Sequence, residues 1–289
     1  MPYSPVCVLF GVHGVIGRSI HKKLSERLPD YKIFGFDRSR VDASSMDQVS
    51  SVINYVNPDL VINCVGMSDP ERCENDVMAA FKANATIPEV IASCCSNKKC
   101  KFVHFSSYAV FPGRDTSYTE RSRPRPTSAL GRSKWDGEIA VQKLSKDHLI
   151  IRPGFLLSPD KRNCLADWIS RAKRNGKVMV REMKVSPIDS VDLAEAVMAL
   201  IDGHASGLFH VANRGVAEVH QIAESAISMA GLRAKVAQTP DILNSWFKSP
   251  TPRTVILSSS KYAKTTGGNM KPWNDSLRHC LFSMNKPKE

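Results

Sequence analysis

Val6-Cys7-Val8-Leu9-Phe10-Gly11-Val12-His13-Gly14-Val15-Ile16-Gly17 is the stretch on which the reading of this chain turns. Its first five residues are apolar, the length and composition of a buried strand. They run without a break into G-x-x-G-x-x-G. Ile16, Ile20, Leu24 and Leu28 then follow at a four-residue spacing, one face of a helix, and Lys32–Phe36 reads as a second strand. Glycines at a strand-to-helix turn let the backbone turn tightly and come close to a pyrophosphate, while the helix end offers its free N–H groups to the phosphates. Strand, turn, helix and second strand in that order make Gly11, Gly14, Val15, Ile16 and Gly17 candidates for holding a dinucleotide.

Asp37 ends the second strand, twenty positions after Gly17. A carboxylate there binds the adenosine ribose hydroxyls of NAD, although Asp is also an ordinary turn residue. Arg38 follows at once and Arg40 is close, and an arginine at this place accommodates the 2′-phosphate of NADP. The cofactor reading is therefore NADP or NAD.

Beyond this unit, strand-like runs continue to alternate with helical patterns, which points to βαβ units and a parallel sheet. Ser45 and Gln48 read as a capping box opening a helix with Val49, Val52, Ile53 and Val56 inward. Residues 59–63 read as a buried strand, 75–95 as a long helix with a break near Pro88, and 102–106 as a strand. Residues 112–128 read as a loop. Thr127 or Ser128 caps a helix over Ala129–Leu144, and 149–152 reads as a further strand. After Pro153 the alternation loosens. The fold class is α/β: a Rossmann-type doubly wound parallel sheet over residues 1–155, with a smaller C-terminal substrate lobe over 156–289 that returns to the main sheet near 185–212.

Charge and composition narrow the partners. The formal net charge is +12, gathered in segments such as NKKCK, RSRPRP and RAKRNGK. Most of this is solvated surface, and an anionic ligand such as a nucleotide diphosphate is the partner it favours. Nucleic acid is disfavoured, for want of a helix-turn-helix, zinc-finger or aromatic RNA-binding signature. The eight cysteines read as reduced and mostly buried. CCSNKKC, with His104 nearby, lacks a paired C-x-x-C spacing, so no metal is expected. The N-terminal apolar run reads as a core strand and not a signal peptide, and no apolar run has the length of a membrane span, so a cytoplasmic location is expected.

Taken together, GVHGVIG, PDLVINCVG, ERCEND, KANAT, FSSYAVFPG, YTE, GRSKWDGE, IRPG, SPIDSVDLAEA, GLFHVANRG and TPRTVILSSSKY span nearly the whole chain. In this order and spacing the sequence resembles the dTDP-4-dehydrorhamnose reductase family of extended short-chain dehydrogenases/reductases, which includes the regulatory beta subunit of methionine adenosyltransferase. The resemblance implies roles. Asp42 would lie near the adenine, and the segment 63–67, with Cys64, Val65 and Gly66, along the cofactor. Asn84 matches a structural Asn, and Ser107 a catalytic Ser or Thr. Lys134 matches the catalytic Lys that holds the nicotinamide ribose and lowers the pKa of a Tyr. Pro153 and Gly154 would border the nicotinamide, and Phe155 would face the sugar.

The same resemblance exposes departures. The family's Tyr-x-x-x-Lys reads Leu130-Gly131-Arg132-Ser133-Lys134, so leucine stands where the general acid would be. Losing a positioned acid costs about 10²–10⁴-fold in rate. The family's S-T-D-Y-V-F reads Ser106-Ser107-Tyr108-Ala109-Val110-Phe111, and its R-P-x-x-S reads Thr251-Pro252-Arg253-Thr254-Val255. Tyr108 is either a substitute acid or a loop aromatic. Tyr118 is read as structural, and Arg253 as a replacement cation for substrate. Two readings follow. One is an NAD(P)H-dependent reductase of a nucleotide-linked 4-keto-6-deoxy sugar, working alone or as a homodimer. The other is a catalytically silent NAD(P)-binding regulatory subunit or sensor that carries a partner chain.

Overall fold

Alternate residues of each central strand point to opposite faces of a sheet, and here both faces are buried. Cys7, Leu9, Leu60, Ile62, Val103, Phe105, Leu149 and Ile151 lie in one apolar cluster. Val8, Phe10, Val61, Phe102 and Ile150 lie in another. A sheet covered on both sides with near-continuous apolar strands is parallel. The computed structural model, which describes residues 4–96, 98–113, 117–239, 250 and 252–285, has this form. Six parallel strands run in the order Gly207–Val211, His148–Pro153, Lys101–Phe105, Leu60–Asn63, Val6–Phe10 and Lys32–Phe36. Helices Val15–Arg27 and Ser190–Asp202 cover the first face through Ile20, Leu24, Leu193 and Val197. Helices Met46–Val56, Ile87–Cys95 and Ala129–Leu144 cover the second through Val49, Ile53, Ile91 and Val141. The doubly wound sheet read from the sequence is the fold.

Strand order reverses beside the first strand. The chain leaves Val6–Phe10 for Lys32–Phe36 on one side and returns to Leu60–Asn63 on the other. A crevice opens at such a switch point, over the carboxyl ends of the strands, and ligands of open α/β sheets bind there.

Two local readings are corrected. Ser45 does cap its helix, its hydroxyl accepting from the Gln48 N–H, but the Gln48 side chain accepts from the N–H of Asp42 and not of Ser45, so the box is half formed. The long helix read over 75–95 starts earlier and is broken elsewhere. Asp69 caps Pro70–Asn75, Asp76 caps Val77–Phe81, and a wide turn over Lys82–Thr86 leads into Ile87–Cys95. Asp76 interrupts the run because its carboxylate takes the Ala79 N–H and gives the backbone an alternative to helix. Pro88 sits in the first turn of the last segment, where a missing N–H is tolerated. Ala129–Leu144 forms as read, capped by Ser128.

A third apolar cluster collects Leu157, Leu165, Trp168, Val178, Val180, Val185, Ile222, Ile227, Leu277 and Leu281. Strands Phe155–Leu157 and Lys177–Arg181 and helices Cys164–Asn175, Val219–Met229 and Trp273–Asn285 enclose it. Phe155–Leu157 pairs with Pro187–Asp189, and Gly207–Val211 then closes the main sheet beside His148–Pro153. Among the described residues no helix is long and apolar enough to cross a membrane.

The main sheet and the helix Ala129–Leu144 are joined by buried charge. The Arg152 guanidinium is 1% exposed and donates to both Glu138 carboxylate oxygens, at 2.8 and 2.6 Å. Glu138 also accepts from the Ser106 hydroxyl. Arg152 packs 5.0 Å from the centre of the Phe111 ring, with His210 Nε2 3.3 Å from its Nη1. Burial, aided by Arg152, holds His210 neutral by pushing its pKa to about 3. Replacing one partner of such a pair strands the other without counter-charge. Glu138→Ala should lower unfolding free energy by about 3–5 kcal/mol, read as a fall in the urea midpoint. A loss below about 1 kcal/mol would show that Arg152 finds another partner.

Candidate active site

Backbone packs on backbone at the switch point. Gly11 adopts φ +78°, a left-handed conformation open to glycine, and a β-carbon on it would lie 2.8 Å from Val65 N and 2.9 Å from the Cys64 carbonyl carbon. A β-carbon on Gly17 would overlap the Gly11 carbonyl oxygen. Gly14 is the N-cap of Val15–Arg27, and the first-turn N–H groups of Val15, Ile16 and Gly17 face outward without an acceptor inside the helix. This narrow cradle, with no side chain inside it and N–H groups at its mouth, fits the pyrophosphate of a dinucleotide.

Asp37 follows the end of the strand Lys32–Phe36. Its carboxylate accepts from the Ser39 N–H (2.9 Å) and hydroxyl (2.6 Å), and His13 Nε2 lies 3.2 Å from its other oxygen. The Ser39 hydroxyl, then the Ser39 N–H, holds it below the usual carboxylate range. Beside it is a cavity of about 340 Å³ bounded by His13, Arg18, His21, Gly35, Asp37 and Arg40. Both Arg38 and Arg40 are exposed, and of the two only Arg40 lines this cavity. Asp42 is likewise exposed, its carboxylate tied to the N–H and hydroxyl of Ser44.

On the other side of the crevice, Cys64, Val65 and Gly66 continue the strand Leu60–Asn63, with the Val65 N–H held by Asn63 Oδ1. The Lys82–Thr86 turn presents Asn84 inward. Its Oδ1 accepts from Met67 N, and its Nδ2 donates to Met67 O and Ser133 Oγ. Single wide turns inside helices recur at functional sites, and this one pins the loop at Met67 to the helix Ala129–Leu144. A β-carbon on Gly66 would lie 2.7 Å from Lys134 Nζ. Lys134 is 5% exposed and donates to the Phe105 carbonyl at 2.9 Å. Burial pushes its pKa down to about 8.

Ser107 is half-buried, and its hydroxyl accepts from the Ala109 N–H, capping the short turn Tyr108–Val110. The half-buried Tyr108 ring lies 6.5 Å from Phe155, which stacks on Trp168 at 6.5 Å, so both sequence-read aromatics face the lobe. Burial pushes the Tyr108 phenol up to about 12. Tyr118 stacks on Phe111 at 4.1 Å and is buried. Pro153 is buried at its strand end, and a β-carbon on Gly154 would overlap the Ser186 carbonyl. Arg253 is exposed. Its carbonyl accepts from Lys184 N, and its guanidinium makes no hydrogen bond among the described residues.

Leu130 does not face the crevice as an unsupported gap. It is 5% exposed in an apolar cluster with Cys73, Ala80, Ala109 and Ala129, edged by Met67. The two positions at which the sequence departs from Tyr, Leu130 and Ala109, therefore share one packed cluster.

Sequence reasoning missed Arg18, His13 and His21 at the cavity beside Asp37, although His13 lies inside the glycine motif and Arg18 directly follows it. It also missed the Glu138–Arg152 pair, and Arg181, which is 10% exposed and bonds Glu71 at 3.2 Å. Nothing in local patterning signals these.

The family model described as RmlD substrate binding domain matches residues 6–286. The chain is similar to the probable dTDP-4,6-dihydroxy-2-methyloxan-3-one 4-ketoreductase of Streptomyces antibioticus, 27% identical over 95% of this chain and 94% of that protein. Among solved structures it is similar to a dTDP-4-dehydrorhamnose reductase of Clostridium acetobutylicum, with a TM-score of 0.90, 26% identity and coverage of 97% of this chain and 100% of the other. A dTDP-4-dehydrorhamnose reductase of Bacillus anthracis, in complex with NADP, has the same fold, with a TM-score of 0.89 at 23% identity over 97% and 100% of the two chains.

Lys134 gives a pH signature with a definite sign. Its folded pKa, about 8, lies below its ordinary 10.5. Below pH 8 it is charged in both states, and burying that charge opposes folding by about 3 kcal/mol. Between pH 8 and 10.5 the unfolded chain binds the extra proton, so this group's contribution to stability rises with pH. Urea titrations of wild type and Lys134→Met should show the wild-type deficit shrinking from pH 7 to pH 10. A constant difference would contradict the buried charge.

Proposed function

The chain belongs to the RmlD substrate binding domain family, and from that premise we propose that it is a cytoplasmic NAD(P)H-dependent reductase of a nucleotide-linked 4-keto-6-deoxy sugar. The observation that carries the reading is the glycine cradle with Lys134 buried at its far end, pinned through Ser133 and Asn84 to the loop at Gly66. The bound nicotinamide supplies a hydride; the chain's own residues do the rest. Gly11, Gly14, Val15, Ile16 and Gly17 seat the pyrophosphate, and Cys64, Val65, Gly66 and Pro153 border the remainder of the cofactor. Lys134 holds the nicotinamide ribose and Ser107 directs the carbonyl oxygen. Phe155 and Arg253 receive the sugar nucleotide.

The cofactor is NADP in preference to NAD. Both Asp37 oxygens already have partners, Ser39 and His13, and the adjacent cavity is bordered by Arg18 and Arg40. A phosphate gains from those cations what a bare ribose hydroxyl would not. The NADP-bound relative supports the same preference.

The proton is the open step, because Leu130 has none to give. Tyr108 is the donor we assign, with water as the alternative source. Its elevated pKa keeps the phenol protonated throughout the neutral range, and its ring meets Phe155. The packing of Leu130 against Ala109 favours a second reading, a silent dinucleotide-binding regulatory subunit. Such a subunit would purify with a partner chain and leave a keto sugar unreduced, whereas the reductase turns over alone or as a homodimer.

Steady-state reduction of a dTDP-4-keto-6-deoxy sugar separates the assignments. Tyr108→Phe should lower kcat/KM by about 10²–10⁴-fold while the KM for NADPH stays unchanged. An unaltered rate would pass the proton to water. In a separate titration, Arg40→Ala should weaken NADPH binding by about tenfold or more, the size of one lost charge-assisted contact, and leave NADH binding unchanged. Equal loss for both would contradict the NADP assignment.

A further inference from the structure

Arg162 is 149 residues from His13 in sequence, yet its Nη2 donates to the His13 carbonyl inside the glycine turn, at 2.8 Å. The contact is built. Asp160 orients Arg162 through Nε (3.0 Å) and Nη2 (3.1 Å). The same carboxylate lies 3.2 Å from Arg18 Nη2, and Arg18 Nε donates to the same His13 carbonyl at 3.2 Å. Asp160 has a side chain only 13% exposed, and both arginines, first of all Arg162, hold it below the usual carboxylate range.

The segment is anchored on both sides. The Asp160 N–H bonds the buried Ser158 hydroxyl, which bonds Ser190. Asn163 caps the helix Cys164–Asn175 and donates to the Leu156 carbonyl. Two arginines share one carboxylate beside the turn, leaving a net positive charge where the first-turn N–H groups of Val15, Ile16 and Gly17 emerge. Arg162 Nη1 makes no hydrogen bond among the described residues, and its side chain is 54% exposed. Both Nη2 hydrogens are taken, by Asp160 and by the His13 carbonyl, so Nη1 is the group left to donate to a phosphate oxygen as a charge-assisted hydrogen bond.

We propose that Arg162 is a cofactor-binding residue contributed by the C-terminal lobe: seated on the glycine turn at the His13 carbonyl, it donates from Nη1 to the dinucleotide pyrophosphate, with Asp160 as its positioning residue. This rests on the dinucleotide reading above. It also gives the lobe a direct link to the cofactor, because the helix that Asn163 caps carries Trp168, the ring stacked on Phe155.

Equilibrium binding, followed by nicotinamide and tryptophan fluorescence, tests this without turnover. The probes are NADPH, 2′-phospho-ADP-ribose and 2′-AMP, the last lacking a pyrophosphate. Arg162→Ala should raise the dissociation constants of the first two by about tenfold to a hundredfold and leave 2′-AMP unchanged. Arg162→Lys, a point charge without the fork, should recover part of the loss. Unchanged NADPH affinity in Arg162→Ala overturns the proposal, and so does an equal loss for 2′-AMP, which would mark a collapsed turn. Failure of the wild-type chain to bind NADPH at all overturns the dinucleotide reading and this inference with it, whereas wild-type binding that Arg162→Ala matches overturns this inference alone.

Discussion

Two backbones cross almost in contact where the turn after Val6–Phe10 meets the end of Leu60–Asn63. A side chain on Gly11 would collide with Cys64 and Val65, and one on Gly17 would collide with Gly11 itself. Because nothing intrudes, both strands deliver their ends to one crevice at the reversal of strand order, and the helix Val15–Arg27 starts with its N–H groups facing that crevice. The positions of Asp37, Gly66 and Lys134 follow from this crossing. So does the approach of Arg162, which reaches a backbone carbonyl within the turn and not a side chain on it.

One helix sets the opposite wall. On Ala129–Leu144 the buried residues Leu130, Ser133, Lys134, Gly137, Glu138 and Val141 recur three and four apart. Ser133 meets Asn84, Lys134 the crevice, and Glu138 the buried Arg152. Such a face is rigid, so the leucine at position 130 is held as firmly as any core residue. Burying a leucine contributes about 1.5–3 kcal/mol. The exchange of a phenol for this side chain thus favours packing while removing a proton from the chemistry, and Ala109 beside it makes room for the same cluster.

What could be read from the sequence was local. The strand, glycine turn and helix and the Ser128 cap are encoded within a few residues of one another, as hydrophobic period and turn chemistry, whereas Lys134 and Leu130 stood out only through the family resemblance. Asp76 was legible in principle as a cap, but periodicity across 75–95 outweighed it and hid the break. The inward turn of Asn84, the Gln48 bond to Asp42, the Glu138–Arg152 pair and the Asp160–Arg162 contact with His13 depend on chain segments brought together by folding. Charged residues on polar stretches look alike in sequence whether solvated or committed. Arg38 and Arg40 illustrate this: two positions apart and both exposed, yet only Arg40 lines the cavity beside Asp37.

The central claim is that a complete cofactor site performs a reduction although the family's acid position holds leucine. The most direct measurement incubates the protein with NADPH deuterated at nicotinamide C4 and a dTDP-4-keto-6-deoxy sugar, and weighs the sugar product by mass spectrometry. The account predicts an alcohol carrying deuterium on the former carbonyl carbon. Recovery of the keto sugar unchanged, with NADPH demonstrably bound, would contradict it and leave the silent dinucleotide-binding subunit as the reading.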